Sequence, residues 1–209
     1  NALTLGGVVS GNGALVKNGA ATLTLANANT YAGSTTINAG TLALGAGGSL
    51  AVGGDVTLGG AGAGFDISAA TGNQTIGALN GVVGSTVALG GNSLPFGTAA
   101  DAVFDGVISG GGGLVKVGAG VQTLSAANTF GGGVSLNAGG LLLGNDAALG
   151  SGALTVGGAA TLDTSLAATL VNNIALNAGL TVLGSNALTL NGVISGTGSL
   201  TKNGAATLT

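Results

Sequence analysis

Residues 7–17, Gly-Val-Val-Ser-Gly-Asn-Gly-Ala-Leu-Val-Lys, return at 106–116 as Gly-Val-Ile-Ser-Gly-Gly-Gly-Gly-Leu-Val-Lys and at 192–202 as Gly-Val-Ile-Ser-Gly-Thr-Gly-Ser-Leu-Thr-Lys. The copies end on Lys17, Lys116 and Lys202, the only cations of this 209-residue chain, which lie 99 and 86 residues apart. The first two copies stay in register well beyond the lysine. Asn29-Thr30-Tyr31 corresponds to Asn128-Thr129-Phe130, Asn38-Ala39-Gly40 to Asn137-Ala138-Gly139, and Leu42 and Leu44 to Leu141 and Leu143. A second relation is tighter: residues 1–24 recur at 186–209 with five substitutions, an offset of 185. Self-similarity at fixed spacing marks a chain built by stacking like units. The repeats are read as approximately 7–45, 106–144 and a truncated 192–209 within one segment, 1–209. The offset of 185 is read as a superperiod of a parent chain expected to extend in both directions.

Between these landmarks apolar and polar residues alternate, as in Leu3-Thr4-Leu5, Leu23-Thr24-Leu25, Val56-Thr57-Leu58 and Leu154-Thr155-Val156. Period two over short runs predicts strands with one face buried. No 3.6-residue periodicity competes with it, and abundant Gly, Thr and Val disfavour helix. Asn-Gly pairs at 18–19, 80–81, 191–192 and 203–204 supply turn chemistry between the runs. Short strands, long repeats and tight turns together predict an all-β parallel β-helix, a β-solenoid. Equivalent side chains then stack turn upon turn at about 4.8 Å. At ~20–25 residues per turn, the chain makes roughly nine turns and a rod about 45 Å long.

That architecture accounts for the composition. Stacked like charges would repel along the whole ladder, whereas aliphatic side chains stack inward and Thr, Ser and Asn stack outward. Charged residues are 4% and aromatics 2%, while 46 glycines serve the corners. The apolar fraction of 45% is too high for a disordered tail. Three Lys against six Asp leave nothing to neutralise phosphates, so no nucleic acid is expected as partner. No P-loop string or G-x-G-x-x-G spacing occurs, so no nucleotide is expected either. Every apolar run is too short for a membrane-spanning helix. The five aromatics are too few for the girdles of a transmembrane barrel.

The string G-x-G-x-L-x-K-x-G, followed by T-L-x-L and N-x-N-T-Y-x-G-x-T-x-I-x-x-G-T-L-x-L-G over Gly11 to Gly45, resembles the autotransporter-associated β-strand repeat of bacterial type V secretion passengers. Gly110 to Gly144 is similar with substitutions, and Gly196 to Thr209 as a partial copy. The resemblance implies a right-handed coil, passage of the outer membrane through a C-terminal translocator barrel outside this window, and display or release at the cell surface. The corresponding function is structural and adhesive, a rigid stalk or fibre of a Gram-negative adhesin. Its partners would be further copies, joined side by side or end to end, and surfaces or host matrix. A self-assembling extracellular fibre subunit and a polysaccharide-modifying β-helix enzyme are the alternatives.

No catalytic, cofactor-binding or metal-binding residue is assigned. The carboxylates are Asp55, Asp66, Asp101, Asp105, Asp146 and Asp163. Glycoside hydrolysis needs two of them facing each other, and turn capping is the favoured role. Gly64-Phe65-Asp66 faintly matches part of the calcium-binding nonapeptide, whose full pattern never appears. Nucleophilic catalysis by Ser needs an activating base. There is no His, and a Ser-Lys pairing such as Ser10 with Lys17 recurs in all three copies, which argues for a structural slot. The three lysines are expected at solvated corners. Tyr31 and Phe130 are expected to anchor a loop, with sugar stacking as the alternative. Asn73-Gln74-Thr75 is a formal glycosylation sequon. Thr22 and Thr24 form a Thr-x-Thr pair too isolated for an ice-binding array.

Overall fold

A three-residue strand buries almost nothing alone, so each run of alternating residues needs a like run above and below it. In a computed structural model describing residues 1–209, 24 strands of three to five residues satisfy this by parallel pairing. The chain is a parallel β-solenoid without helices. It visits three faces in fixed order. The first face carries β1 (Leu3–Leu5), β3 (Leu23–Leu25), β5 (Thr41–Leu44), β7 (Gly64–Asp66), β9 (Thr86–Ala88) and β12 (Val107–Ser109), and resumes with β19 (Ala168–Leu170) and β22 (Leu188–Leu190). The second carries β10 (Leu94–Phe96), β13 (Leu114–Lys116), β15 (Val134–Leu136), β17 (Leu154–Val156), β20 (Ile174–Leu176) and β23 (Ile194–Gly196).

The third face is unbroken. It stacks β2 (Leu15–Lys17), β4 (Thr35–Ile37), β6 (Val56–Leu58), β8 (Leu79–Gly81), β11 (Ala102–Phe104), β14 (Val121–Leu124), β16 (Gly140–Leu143), β18 (Ala160–Thr164), β21 (Leu180–Val182) and β24 (Leu200–Lys202). Ten strands make ten turns, one more than the sequence arithmetic suggested. Lys17 and Lys202 close the first and last of them, so 185 residues cover nine turns, about 20.6 per turn. The turn is shorter than the middle of the range assumed. At about 4.8 Å per turn the stack rises about 43 Å.

The alternating residues divide as their parity requires. In β6, for example, Val56 and Leu58 are fully buried and Thr57 lies half-exposed between them. Forty buried residues from Leu25 to Leu188 form one continuous core, removing stacked aliphatic surface from water at every turn. Corners take glycine where the chain must turn left-handed. Gly11, Gly110 and Gly196 hold one position in the three copies of the repeat, with φ of 109°, 119° and 104°, a region that costs other residues strain.

The copies do not share a face. Leu15–Lys17 lies on the third face as β2, whereas its counterpart Leu114–Lys116 lies on the second as β13. An offset of 185 residues brings the chain back to the same face. An offset of 99 stops a third of a turn short, after four and two-thirds turns.

Because of this phase difference the same motif lies against two different faces. Asn29 and Asn128 are equivalent, and each is buried. Asn128 Oδ1 accepts the Ile108 amide of the turn below at 2.8 Å, and its Nδ2 donates to the Ala148 carbonyl of the turn above at 2.7 Å. Asn29 accepts from Val9 at 2.8 Å and donates to Ser49 at 2.9 Å. A side-chain amide thus replaces strand hydrogen bonds across three turns. In copy two the motif interrupts the first face, between β12 and β19, and in copy one it lies on the second face ahead of its first strand, β10.

Candidate functional site

The chemistry-bearing side chains of the repeat lie inside the solenoid. In Leu15-Val16-Lys17 the alternation places Lys17 on the same side as Leu15, and Lys116 follows Leu114 in the same way. Lys17 is 6% exposed and Lys116 2%, which corrects the expectation of solvated corners. The stem of Lys116 runs in register between Phe96 and Leu136. Its ammonium donates to the carbonyls of Val117 at 2.7 Å, Gly118 at 2.9 Å and Ala138 at 3.4 Å. Lys17 donates to Gly19 and, at 3.0 Å, to Ala39 of the next turn. Lys202, in the tenth turn, donates to Asn203 and to Gly204 at 3.0 Å. Each lysine therefore pins the corner that follows its own strand, and Lys17 and Lys116 also hold the corner one turn on. Burial pushes the Lys116 ammonium below the usual lysine range, and the charge of Asp101 partly opposes this.

A lysine inside a rod of apolar residues is tolerable because corner carbonyls converge there. A buried charge needs such partners, and bonds to charged donors are stronger than neutral ones. Ser10 takes no part, since the Lys17 ammonium is bound to backbone carbonyls.

The carboxylates are dispersed along the rod and mostly tie one turn to the next. Asp55, Asp101, Asp146 and Asp163 accept the backbone amides of Ala78, Val121, Thr169 and Ser185, at 2.7 to 3.1 Å. Asp105 binds the Ser125 hydroxyl at 2.5 Å. Asp66 caps its own turn through Ser68 N at 2.8 Å, while its neighbour Phe65 is fully buried. No three acidic residues come together as a metal-binding cluster. Asn73 of the sequon accepts the Ser93 amide at 2.9 Å, the same use of a side-chain oxygen.

Tyr31 and Phe130 are core residues, 3% and 0% exposed, so neither ring offers a face to a sugar. The Tyr31 hydroxyl meets Thr35 Oγ1 at 2.6 Å. In the second copy both polar partners are replaced together, by Phe130 and Val134, and both of these are buried. The tyrosine pKa is raised by burial, with the Thr35 hydrogen bond opposing. Alternation also places Gln122 inside. It is 1% exposed, with Nε2 donating to Leu79 and Thr123 carbonyls at 3.1 and 3.0 Å. The alternation in Val121-Gln122-Thr123-Leu124 carried that signal, although glutamine is not a usual core residue.

Corner glycine completes the arrangement. Gly40 and Gly139 are equivalent, with φ of 65° and 69°, and a Cβ on either would lie 2.4 Å from a carbonyl oxygen of the turn below. Residues 15–44 and 114–143 match the passenger-associated-transport-repeat family. The chain carries two passenger-associated-transport repeats. Each matched stretch contains the inward lysine, the bridging asparagine, the buried aromatic and the corner glycine that lock one turn to the next. No curated protein and no solved structure matches the chain. The two repeats and the solenoid fit an autotransporter passenger, a class that Gram-negative bacteria export to the cell surface.

Proposed function

We propose that this passenger segment is a rigid stalk with adhesive sides, held at the outer membrane by a translocator elsewhere in the parent protein. The unbroken ten-strand face carries the reading. Its hydrogen bonds and inward columns make a stiff element whose ends are about 43 Å apart. Five of the six carboxylates are engaged between turns, which suits a structural role better than acid–base chemistry. The sides are nearly uncharged, so copies can approach one another and other surfaces without long-range repulsion. Lateral or end-to-end association of rods and contact with host matrix belong to the same proposal.

The test compares cells displaying the parent passenger with and without residues 1–209. Loss of the segment is expected to shorten the surface projection seen by electron microscopy and to lower attachment to matrix-coated and bare surfaces. Unchanged reach together with unchanged attachment would refute the proposal. So would cleavage of a polysaccharide by the purified segment.

A further inference from the structure

We propose that a notch on the first face, at the eighth turn, binds a neutral saccharide. It forms where the second repeat suspends the strand ladder. At that turn the chain makes a tight turn instead: Ala147 N donates to Asn145 Oδ1, Ala148 N to Asn145 O and Gly150 N to Ala147 O, at 3.0 to 3.1 Å. Leu149 is drawn fully into the core. The outer surface is left with a cavity of about 550 Å³, of ordinary ligand-site size.

Ala147 and Gly150 line the floor. A Cβ on Gly150 would lie 2.3 Å from the Phe130 carbonyl oxygen, so the floor rests directly on the buried aromatic of the repeat. Thr129 borders the notch from the turn below, Thr169 and the 72%-exposed Val171 from the turn above. Ser151 and Asp146 complete the rim. Asp146 Oδ1 accepts the Thr169 amide at 2.8 Å, and its other oxygen has no partner in the protein.

The lining selects a chemical class. Three hydroxyls and a free carboxylate oxygen can satisfy the hydroxyls of a sugar, while Val171 and Ala147 suit its C–H surface. The only charge is negative and no cation lines the cavity, which disfavours phosphate, sulfate and carboxylate groups. No histidine or second carboxylate is at hand, so the site binds and does not cleave. The first repeat supplies a comparison. Its counterparts of Asp146 and Ser151 are Gly47 and Val52, and none of the cavities of the rod lies there. The notch therefore comes from residues added to the repeat, not from the repeat itself. The proposal rests on the reading of the rod as surface-exposed.

Calorimetry and saturation-transfer NMR on the intact segment test it. The probes are uncharged oligosaccharides of glucose, galactose, mannose and N-acetylglucosamine, with polygalacturonate and dextran sulfate as anionic counterparts. At least one neutral probe is expected to bind saturably. Asp146→Asn keeps the acceptor for Thr169 N and is expected to weaken binding by about tenfold or more. Ser151→Trp, on an exposed turn, is expected to abolish it by filling the notch, and Thr57→Ala on another face to leave it unchanged. Absence of saturable binding up to about 10 mM, tighter binding of the anionic probes, or equal binding by Ser151→Trp would overturn the proposal. Cells displaying Ser151→Trp are expected to keep their surface projection. A loss of projection would count against the rod reading, whereas loss of saccharide binding alone supports the notch.

Discussion

Residues 7–45 and 106–144, identical at 22 of 39 positions, are two copies of one repeat placed on different faces of one rod. The hydrogen bonds of their asparagines agree to within about 0.2 Å, although the copies differ by a third of a turn. The repeat therefore specifies a relation between a strand, its corner and the adjacent turns, and two of the three corners host it. Which face it occupies depends on the number of residues between copies. The copies differ in burial: Val9, below Asn29, is half-buried, and Ile108, below Asn128, is fully buried.

Substitutions can break this comparison in graded ways. The largest effect is expected for Asn128→Leu, which leaves the Ile108 amide and the Ala148 carbonyl unpaired, at about 2–4 kcal/mol for two buried groups. Asn29→Leu is expected to cost less, because one of its partners is nearer solvent. Urea unfolding of both variants measures the difference. Next comes Phe130→Tyr, which places a hydroxyl beside Val134 and costs about 1–3 kcal/mol. Adding Val134→Thr is expected to recover most of that loss by recreating the Tyr31–Thr35 pair, and a double-mutant cycle reads the coupling. Removal of that pair's hydrogen bond by Tyr31→Phe is expected to cost about 1 kcal/mol.

The smallest effect is the response to pH, and it has opposite signs in the two copies. The Lys116 pKa is depressed in the folded state, so the unfolded chain holds more protons just below the usual lysine value of 10.5. Stability from this group rises with pH across that window. The Tyr31 pKa is raised above 10.0, so the unfolded chain loses its proton first and stability falls as pH climbs past that value. Thermal melts between pH 9 and 11 are expected to lose the rising component in Lys116→Met and the falling component in Tyr31→Phe.

Much of the fold was legible because stacking repeats its requirements at every turn. Alternation marked the strands, the scarcity of charge pointed to parallel ladders, and Asn-Gly marked corners at 18–19, 191–192 and 203–204, whereas Asn80-Gly81, read as a turn, lies inside β8 paired with Thr57 and Leu58. The number of turns was less legible, since corners of unequal length, the shortest being Asp105-Gly106, leave the period ambiguous until registers are known. Lys17 and Lys116 were misjudged for a specific reason. Charge argued for solvent, while parity with Leu15 and Leu114 argued for the interior, and the corner carbonyls that resolve the conflict come from residues up to 22 positions away. The face assignments were illegible for a related reason, because a third-of-a-turn phase accumulates over 99 residues of unequal corners. The notch at Asp146 had no sequence signature, since it arises where a strand is missing.

Lysines turned inward have a consequence for survival outside the cell. Proteases of the trypsin class cut after lysine or arginine and must draw the chain into their own cleft in extended form. The chain has no arginine, and Lys17 and Lys116 sit inside turns whose backbone groups are bound above and below. Such an enzyme finds two of the rod's three cleavage points hidden by the same bonds that hold its corners, and only Lys202, in the last turn, is half-exposed.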